Sequence, residues 1–207
     1  MEFSLFSMEG LQFGLRWFHI FFGVVWIGHL YYINFCQGLY MNEVEAPIKA
    51  IAQQKLFPKV MWWFRWGAMF TFITGWIIFI GLTHQNANFI STARGVLILS
   101  GMLMATFMWF NVWFVIWPTQ KLVIANAVGV AEGKPANPVA ADRIARAGIC
   151  SRTNVLFSIP MLFFMAASSH LPLVVAPSAN LAVLAAVIVV IIGLLEANAL
   201  KGKMGPM

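Results

Sequence analysis

Charged side chains are scarce in this sequence: Lys, Arg, Asp and Glu make up 10% of its 207 residues, whereas 61% are hydrophobic. A soluble domain is about half apolar and about a quarter charged. The composition, with a mean hydropathy of +0.82, therefore excludes an ordinary soluble domain and indicates an integral membrane protein. The net charge of +6 does not indicate nucleic-acid binding, because membrane proteins concentrate basic residues in their cytoplasmic loops.

Cysteine is equally scarce, since Cys36 and Cys150 are the only two and no CxxC or CxxCH occurs. This excludes covalently attached c-type haem and argues against iron–sulfur clusters and structural zinc sites. Basic residues are absent from the N-terminal tail, which carries Glu2 and Glu9 instead. The tail thus lacks the basic region of a cleavable signal, and we expect the first apolar run to remain in the mature protein.

Five apolar runs are long enough to cross a bilayer, whose hydrocarbon core of about 30 Å takes roughly 20 helical residues. We predict an all-α transmembrane domain over residues 1–207, with spans at about 11–36, 60–82, 95–117, 153–171 and 181–195. The third span should end at Pro118, which cannot continue a helix comfortably, and Pro160 should kink the fourth. Spans one to four should form a four-helix bundle. The fifth, with no polar side chain before Glu196, should be peripheral and face lipid.

Basic residues in the predicted loops set the orientation. On one side of the membrane lie ten of them: Lys49, Lys55, Lys59, Lys121, Lys134, Arg143, Arg146, Arg152, Lys201 and Lys203. Only Arg16 and Arg94 lie on the other side. The positive-inside rule therefore predicts an outer N-terminus and a cytoplasmic C-terminus. Two loop segments, 42–57 and 138–148, are predicted to form short helices at the inner interface.

Two histidines lie at membrane depth in the first span, where an ionisable side chain is by default a candidate for function. His19 should lie roughly 12 Å inside the outer end of that span. His29 is about 15 Å further along the axis and rotated by about 80°, so one straight helix cannot present both to one metal ion. His84 and His170 end the second and fourth spans on the outer side.

The outer histidines suggest a b-type haem, because a bis-histidine haem in a bundle takes its ligands from two facing helices. We predict His19 and His170 as the axial ligands, with His84 as the alternative to His170. Gly23, one turn after His19, and the small residues 166–169 would leave room for a porphyrin. A histidine hydrogen-bonded to a neighbouring helix is the simpler explanation for His19.

Arg16 and Arg94 stand at the same outer rim. A guanidinium group pairs well with a carboxylate, so either residue could bind a haem propionate. Ordinary snorkelling of an arginine at a helix end explains each of them equally well.

A second polar group is predicted in the inner half: His29, Arg65, Asn111, Arg152 and Asn154. These residues could line a pocket for a quinone, a small substrate or a second haem. They could instead form hydrogen bonds between helices, which is the simpler interpretation.

Four successive motifs are RWFHIFFGVVWIGHLYYINF, WWFRWGAMFT, NVWFVIWPTQK and SRTNVLFSIPMLFFMAASSH, covering about Leu11 to His170. They resemble the membrane domain of bacterial urate hydroxylase, the urate oxidase N-terminal domain family. The resemblance implies a redox protein of the bacterial inner membrane that passes electrons to a cytochrome c. Since full-length members carry their own c-type cytochrome domain and this sequence has no CxxCH, we expect the acceptor to be a separate cytochrome c or respiratory complex.

Two functions therefore remain as hypotheses. The first is a haem-b membrane redox protein that works with separate partners, and the second is a haem-free accessory subunit of a larger homo- or hetero-oligomeric complex. A solute or metal carrier is less consistent with the sequence, because the predicted spans carry no acidic residue and no unwound Gly/Pro pair.

Overall fold

The computed structural model describes residues 7–139, 141–172, 174 and 180–202, which are helical or loop with no strand. Five continuous helical stretches in this part of the chain are long and apolar enough to cross a membrane, which confirms the number of spans. They run over Met8–Glu43, Phe57–Gln85, Ala93–Ala131, Ala141–His170 and Leu181–Lys201. The orientation in the membrane stays a prediction, and Lys203 lies outside the described residues.

Three spans begin at side-chain caps that the sequence encodes locally. Ser7 Oγ accepts a hydrogen bond from Gly10 N, and Thr92 Oγ1 accepts one from Gly95 N. Asn180 Oδ1 accepts from two backbone N–H groups of the last span. Such caps satisfy the free N–H groups of a first turn, so these helices begin where a Ser, Thr or Asn precedes an apolar run.

The first span is longer than predicted. Helix α1 (Met8–Tyr31) passes through a π-helical segment (Tyr32–Gln37) into α2 (Gly38–Glu43), seven residues beyond the predicted end. A short helix, α3 (Ala46–Lys55), follows within the segment 42–57 that was predicted to be helical. The second span is the single helix α4 (Phe57–Gln85).

The predicted end of the third span at Pro118 is wrong. Helix α5 (Ala93–Phe110) continues through a π-helical segment (Asn111–Ile116) into α6 (Trp117–Ala131). Pro118 therefore lies in the first turn of α6, where the missing N–H is tolerated because the wider π-helical turn before it has already interrupted the regular bonding pattern. The helix can thus continue for more than three further turns.

The remaining two spans are α7 (Ala141–His170) and α8 (Leu181–Lys201). Helix α7 includes most of the segment 138–148 that was predicted as an interfacial helix leading into the fourth span, and the two form one element. Ala140 lies outside the described residues. Pro160 is inside α7, and the helix continues past it to His170.

The spans pack as two antiparallel pairs, α1 with α4 and α5 with α7. Small residues bring the partners together: a methyl group at Gly67 of α4 would lie 3.0 Å from Trp26 N of α1, and one at Gly101 of α5 would lie 2.9 Å from Met165 Cε of α7. Close backbone approach over small residues is the usual way in which transmembrane helices associate. The glycines therefore set the spacing within each pair.

Aromatic and polar contacts join the two pairs. Phe72 stacks on Trp109 with ring centroids 4.3 Å apart, and the Tyr31 hydroxyl lies 2.9 Å from Ser158 Oγ. Asn34 Nδ2 donates to Ser151 Oγ at 2.9 Å. The fully buried core between the pairs contains Trp26, Leu30, Phe64, Met108, Val112 and Phe157. The apolar core and these polar contacts fix how α1 sits against α7.

Helix α8 packs on the outside of the bundle against α5 and α7, and most of its side chains are exposed. Three residues near its C-terminal end are buried: Ile192, Glu196 and Ala199. The expectation that the spans carry no acidic residue is therefore wrong. The helix runs to Lys201 rather than to residue 195, and its last turns place Glu196 between the helices at 3% exposure.

Candidate functional site

We call the end of the bundle that holds the N-terminus of α1 the outer end, following the predicted orientation. The predicted outer residues are distributed over four helices: Arg16, His19 and Gly23 on α1, His84 on α4, Arg94 on α5 and His170 on α7. His19 is half-buried, whereas both arginines, His84 and His170 are exposed.

His19 faces α4. Its Nδ1 lies 3.1 Å from Thr74 Oγ1, and a methyl group at Gly75 would lie 3.0 Å from His19 Cε1. Gly23 is on the same side of α1, where a methyl group would make an ordinary 3.9 Å contact with Thr71. The small side chains of α4 thus hold one edge of the imidazole ring in place.

The hydrogen bonds of Thr74 determine the tautomer of His19. The Thr74 hydroxyl donates its only proton to Phe70 O at 2.6 Å. It can then only accept from His19, so the imidazole proton is on Nδ1 and the lone pair is on Nε2. A histidine whose Nδ1–H is held by a neighbour is oriented as metal-bound histidines usually are.

The contact between Tyr31 and Ser158 gives one count of the depth of His170 on α7 relative to His19 on α1. His19 lies twelve residues before Tyr31, and His170 lies twelve residues after Ser158. At 1.5 Å per residue both are about 18 Å from the contact, in the same direction along antiparallel helices. A second count, through Phe72 stacked on Trp109 and Gly101 against Met165, puts His170 about 16 Å further out than His19, so the helix contacts do not give the two histidines one depth.

Arg94 lies close to the depth of His170. The contact of Gly101 with Met165 relates α5 to α7. Arg94 is seven residues before Gly101 and His170 is five residues after Met165, so their depths differ by about 3 Å. Arg16, three residues before His19, is about 5 Å further out.

His84 lies at a different depth. His19 contacts Thr74, and His84 is ten residues beyond Thr74 on α4, which is about 15 Å along the axis. Counted through Phe72, Trp109, Gly101 and Met165, His170 is about as far out as His84, so the helix register does not choose between them as a companion of His19.

Of the inner group, His29 stands apart from the other four residues. Its Nδ1 donates to Val25 O of its own helix at 2.7 Å. The ring lines a cavity of about 420 Å³, together with Val24, Val25, Gly28, Tyr32, Leu56 and Val60. The side chains around it are mostly apolar, and the tautomer leaves Nε2 as a hydrogen-bond acceptor.

The other inner residues divide into separate contacts. The Arg65 guanidinium lies over the ring of Trp117, 3.9 Å from its centroid, which is a cation–π contact between α4 and α6. Arg152 is exposed on α7. Asn111 and Asn154 are in direct contact and fully buried, since Asn111 Nδ2 donates to Asn154 Oδ1 at 3.0 Å. One shared pocket for all five residues is therefore not formed.

Glu196 is the residue that the sequence analysis missed. Asn111 Nδ2 also donates to Glu196 Oε2 at 3.1 Å, so the fifth span contributes to the same cluster. The available signal was that Asn111 and Asn154 are uncharged polar residues inside apolar spans, which need a buried partner.

Among the described residues, no group of three or more His, Cys, Asp or Glu side chains is placed so that it could hold a metal ion. A haem takes only two axial ligands, so its binding does not require such a group.

The comparison with protein families covers the second half of the molecule. A model of the family described as Urate oxidase N-terminal matches residues 84–197, more than half of the chain. The chain belongs to this family. The family match confirms the resemblance found in the sequence motifs and relates the chain to the membrane part of urate hydroxylase. No curated protein and no solved structure matches it.

The match to the urate oxidase N-terminal family begins at the end of α4 and covers α5, α6, α7 and most of α8. His170 and the cluster of Asn111, Asn154 and Glu196 lie within the matched range, and His19 precedes it. The family match therefore covers His170 but not His19.

Proposed function

We propose that this member of the urate oxidase N-terminal family is an electron-transfer protein of the bacterial inner membrane. It would hold one low-spin b-type haem between α1 and α7, with His19 and His170 as axial ligands. The observation that carries this proposal is the His19 imidazole, whose Nδ1–H is held by Thr74 so that Nε2 is left for iron.

The donor set fits a haem. Two imidazoles from different helices are the ligands of a low-spin haem in a bundle, and His19 and His170 would supply them. Arg94 and Arg16 lie at the outer rim, and their exposed guanidinium groups suit propionate carboxylates. Exposed aromatic rings around His19, those of Trp17, Phe18 and Phe21, could pack against a macrocycle.

When bound, haem would supply one-electron chemistry, and the chain would hold and orient it. Thr74 fixes the plane and tautomer of His19. His170 is exposed at the end of α7, and a haem bound there would suit transfer to a separate cytochrome c or respiratory complex.

Absorption spectra of the purified protein, oxidised and then reduced, test the proposal. We expect a b-type spectrum that is lost in His19→Ala and His170→Ala and retained in the matched controls His84→Ala and His29→Ala. Full retention of haem in His19→Ala would contradict it. A colourless parent protein would favour the haem-free accessory subunit instead.

A quinol is a second candidate ligand, and the cavity at His29 favours it. The ring accepts at Nε2, Tyr32 offers a hydroxyl beside it, and apolar residues surround both. A quinol hydroxyl could donate to His29 while its ring packs on the apolar wall. Loss of quinol-dependent haem reduction in His29→Ala, with the haem spectrum unchanged, would support this site. An unchanged reduction rate would exclude it.

A further inference from the structure

A buried polar cluster connects the third, fourth and fifth spans. Asn111 and Asn154 are 0% exposed, and Glu196 is 3% exposed. The other acidic residues within the described ranges are exposed: Glu9, Glu43, Glu45, Glu132 and Asp142. Glu196 is therefore the one described carboxyl group that the fold removes from solvent.

The side-chain amide nitrogens of both asparagines in the cluster donate hydrogen bonds. Asn111 Nδ2 donates to both Asn154 Oδ1 and Glu196 Oε2, and Asn154 Nδ2 donates to Met108 O at 3.0 Å. Two buried oxygens, Asn111 Oδ1 and Glu196 Oε1, accept no hydrogen bond from the residues that the structure describes. Exchanging the amide oxygen and nitrogen of Asn111 does not help, because its nitrogen already faces two acceptors.

The groups around Glu196 do not neutralise a carboxylate. Arg146 of α7 donates to Ala199 O and Gly202 O at the end of α8, at 3.1 and 2.7 Å. The Cys150 thiol of α7 donates to Ala199 O. The one ion pair among the described residues is between Lys134 and Glu132, which are distant from Glu196 in the sequence. An unpaired buried carboxylate is costly, and burial normally leads such a group to take up a proton.

We propose that Glu196 is a proton-binding site in the inner half of the bundle. The proton sits on Oε1 and is donated to Asn111 Oδ1, while Asn111 Nδ2 donates back to Oε2. One proton thereby gives a partner to both oxygens that lack one and closes a two-bond pair between a carboxylic acid and an amide. Binding is a simple association of one proton with one carboxylate.

The bound proton attaches α8 to the bundle. In the protonated form the acid–amide pair joins α8 to the third span, and Arg146 and Cys150 fix the following turn to α7. When the proton leaves, a carboxylate oxygen faces the amide oxygen of Asn111, and the two acceptors repel each other. The pair then keeps the bond from Asn111 Nδ2 to Glu196 Oε2 but loses the other one, so the docking of α8 weakens when the proton leaves.

Infrared spectroscopy of the intact protein in membranes tests the site directly. We expect the carbonyl band of a protonated carboxylic acid at neutral pH, lost in Glu196→Gln and kept in the matched exposed control Glu132→Gln. A wild-type spectrum without that band, or a band that survives in Glu196→Gln, would overturn the proposal.

Thermal unfolding provides a second measurement. Glutamine reproduces the pair without a titrating group, because its amide donates to Asn111 Oδ1 and its carbonyl accepts from Asn111 Nδ2. We expect the unfolding midpoint of the wild type to fall at alkaline pH relative to that of Glu196→Gln, with Glu132→Gln behaving as the wild type. Equal pH profiles for the wild type and Glu196→Gln would contradict proton-dependent docking of α8.

Discussion

The hydroxyl groups of Tyr31 on α1 and Ser158 on α7 lie 2.9 Å apart. Ser158 Oγ donates its own proton to Val155 O at 2.7 Å, so Tyr31 is the donor in this pair. This bond crosses from one helix pair to the other, so it joins α1 to α7.

Removing this bond should loosen the two helix pairs. Tyr31→Phe keeps the ring and deletes the donor, and we expect a loss of about 1 kcal/mol in the free energy of unfolding. Reversible unfolding in detergent measures the change, with Tyr40→Phe at an exposed position as the control. A loss no larger than that of the control would mean that the bond does not stabilise the bundle.

Thr74 should act on haem only through His19. Thr74→Val keeps the size of the side chain but removes the acceptor for His19 Nδ1–H, and we expect a 10–100-fold loss of haem affinity, about the effect of removing such an outer partner. Thr74→Ser should restore affinity. Haem titration of the purified apoprotein measures it. Thr83→Val is the control, because the Thr83 hydroxyl bonds only to carbonyls of its own helix. An equal loss of haem affinity in Thr83→Val would refute a specific role for Thr74.

The α1–α4 contact should not tolerate a side chain at Gly67. A methyl group there meets backbone atoms of Trp26 at 3.0 and 3.3 Å, and backbone cannot move aside cheaply. We expect Gly67→Ala to lower the free energy of unfolding by roughly 1–3 kcal/mol, as overpacking does. Gly81→Ala on the same helix, with nothing within 4 Å, is the matched control. Equal stability of Gly67→Ala and Gly81→Ala would show that α1 and α4 can move apart to accept the methyl group.

The orientation follows from loop charge and can be tested by labelling. In a Cys36→Ser background, Glu9→Cys should react with a membrane-impermeant thiol reagent added from outside, and Lys201→Cys only after the inner face is exposed. Cys150 is buried and serves as the internal negative control. Outside reactivity of Lys201→Cys would reverse the assignment of the outer and inner ends.

The sequence determined the features that depend on local composition. Five apolar runs are long enough to cross a bilayer whatever their neighbours are, and a Ser, Thr or Asn before the run can cap the helix by itself. The family resemblance, which the match over residues 84–197 confirms, also came from contiguous motifs.

Tertiary structure decided what depends on register and on neighbouring helices. Proline alone predicts a helix end, but the π-helical segment before Pro118 accommodates it. The contact of His19 with Thr74 and Gly75 follows from which residues of α1 and α4 touch. Glu196 looked like the solvated end of a lipid-facing span. Only the packing of α8 against α5 and α7 places its carboxyl group beside Asn111, because burial belongs to the assembled helices and not to one segment.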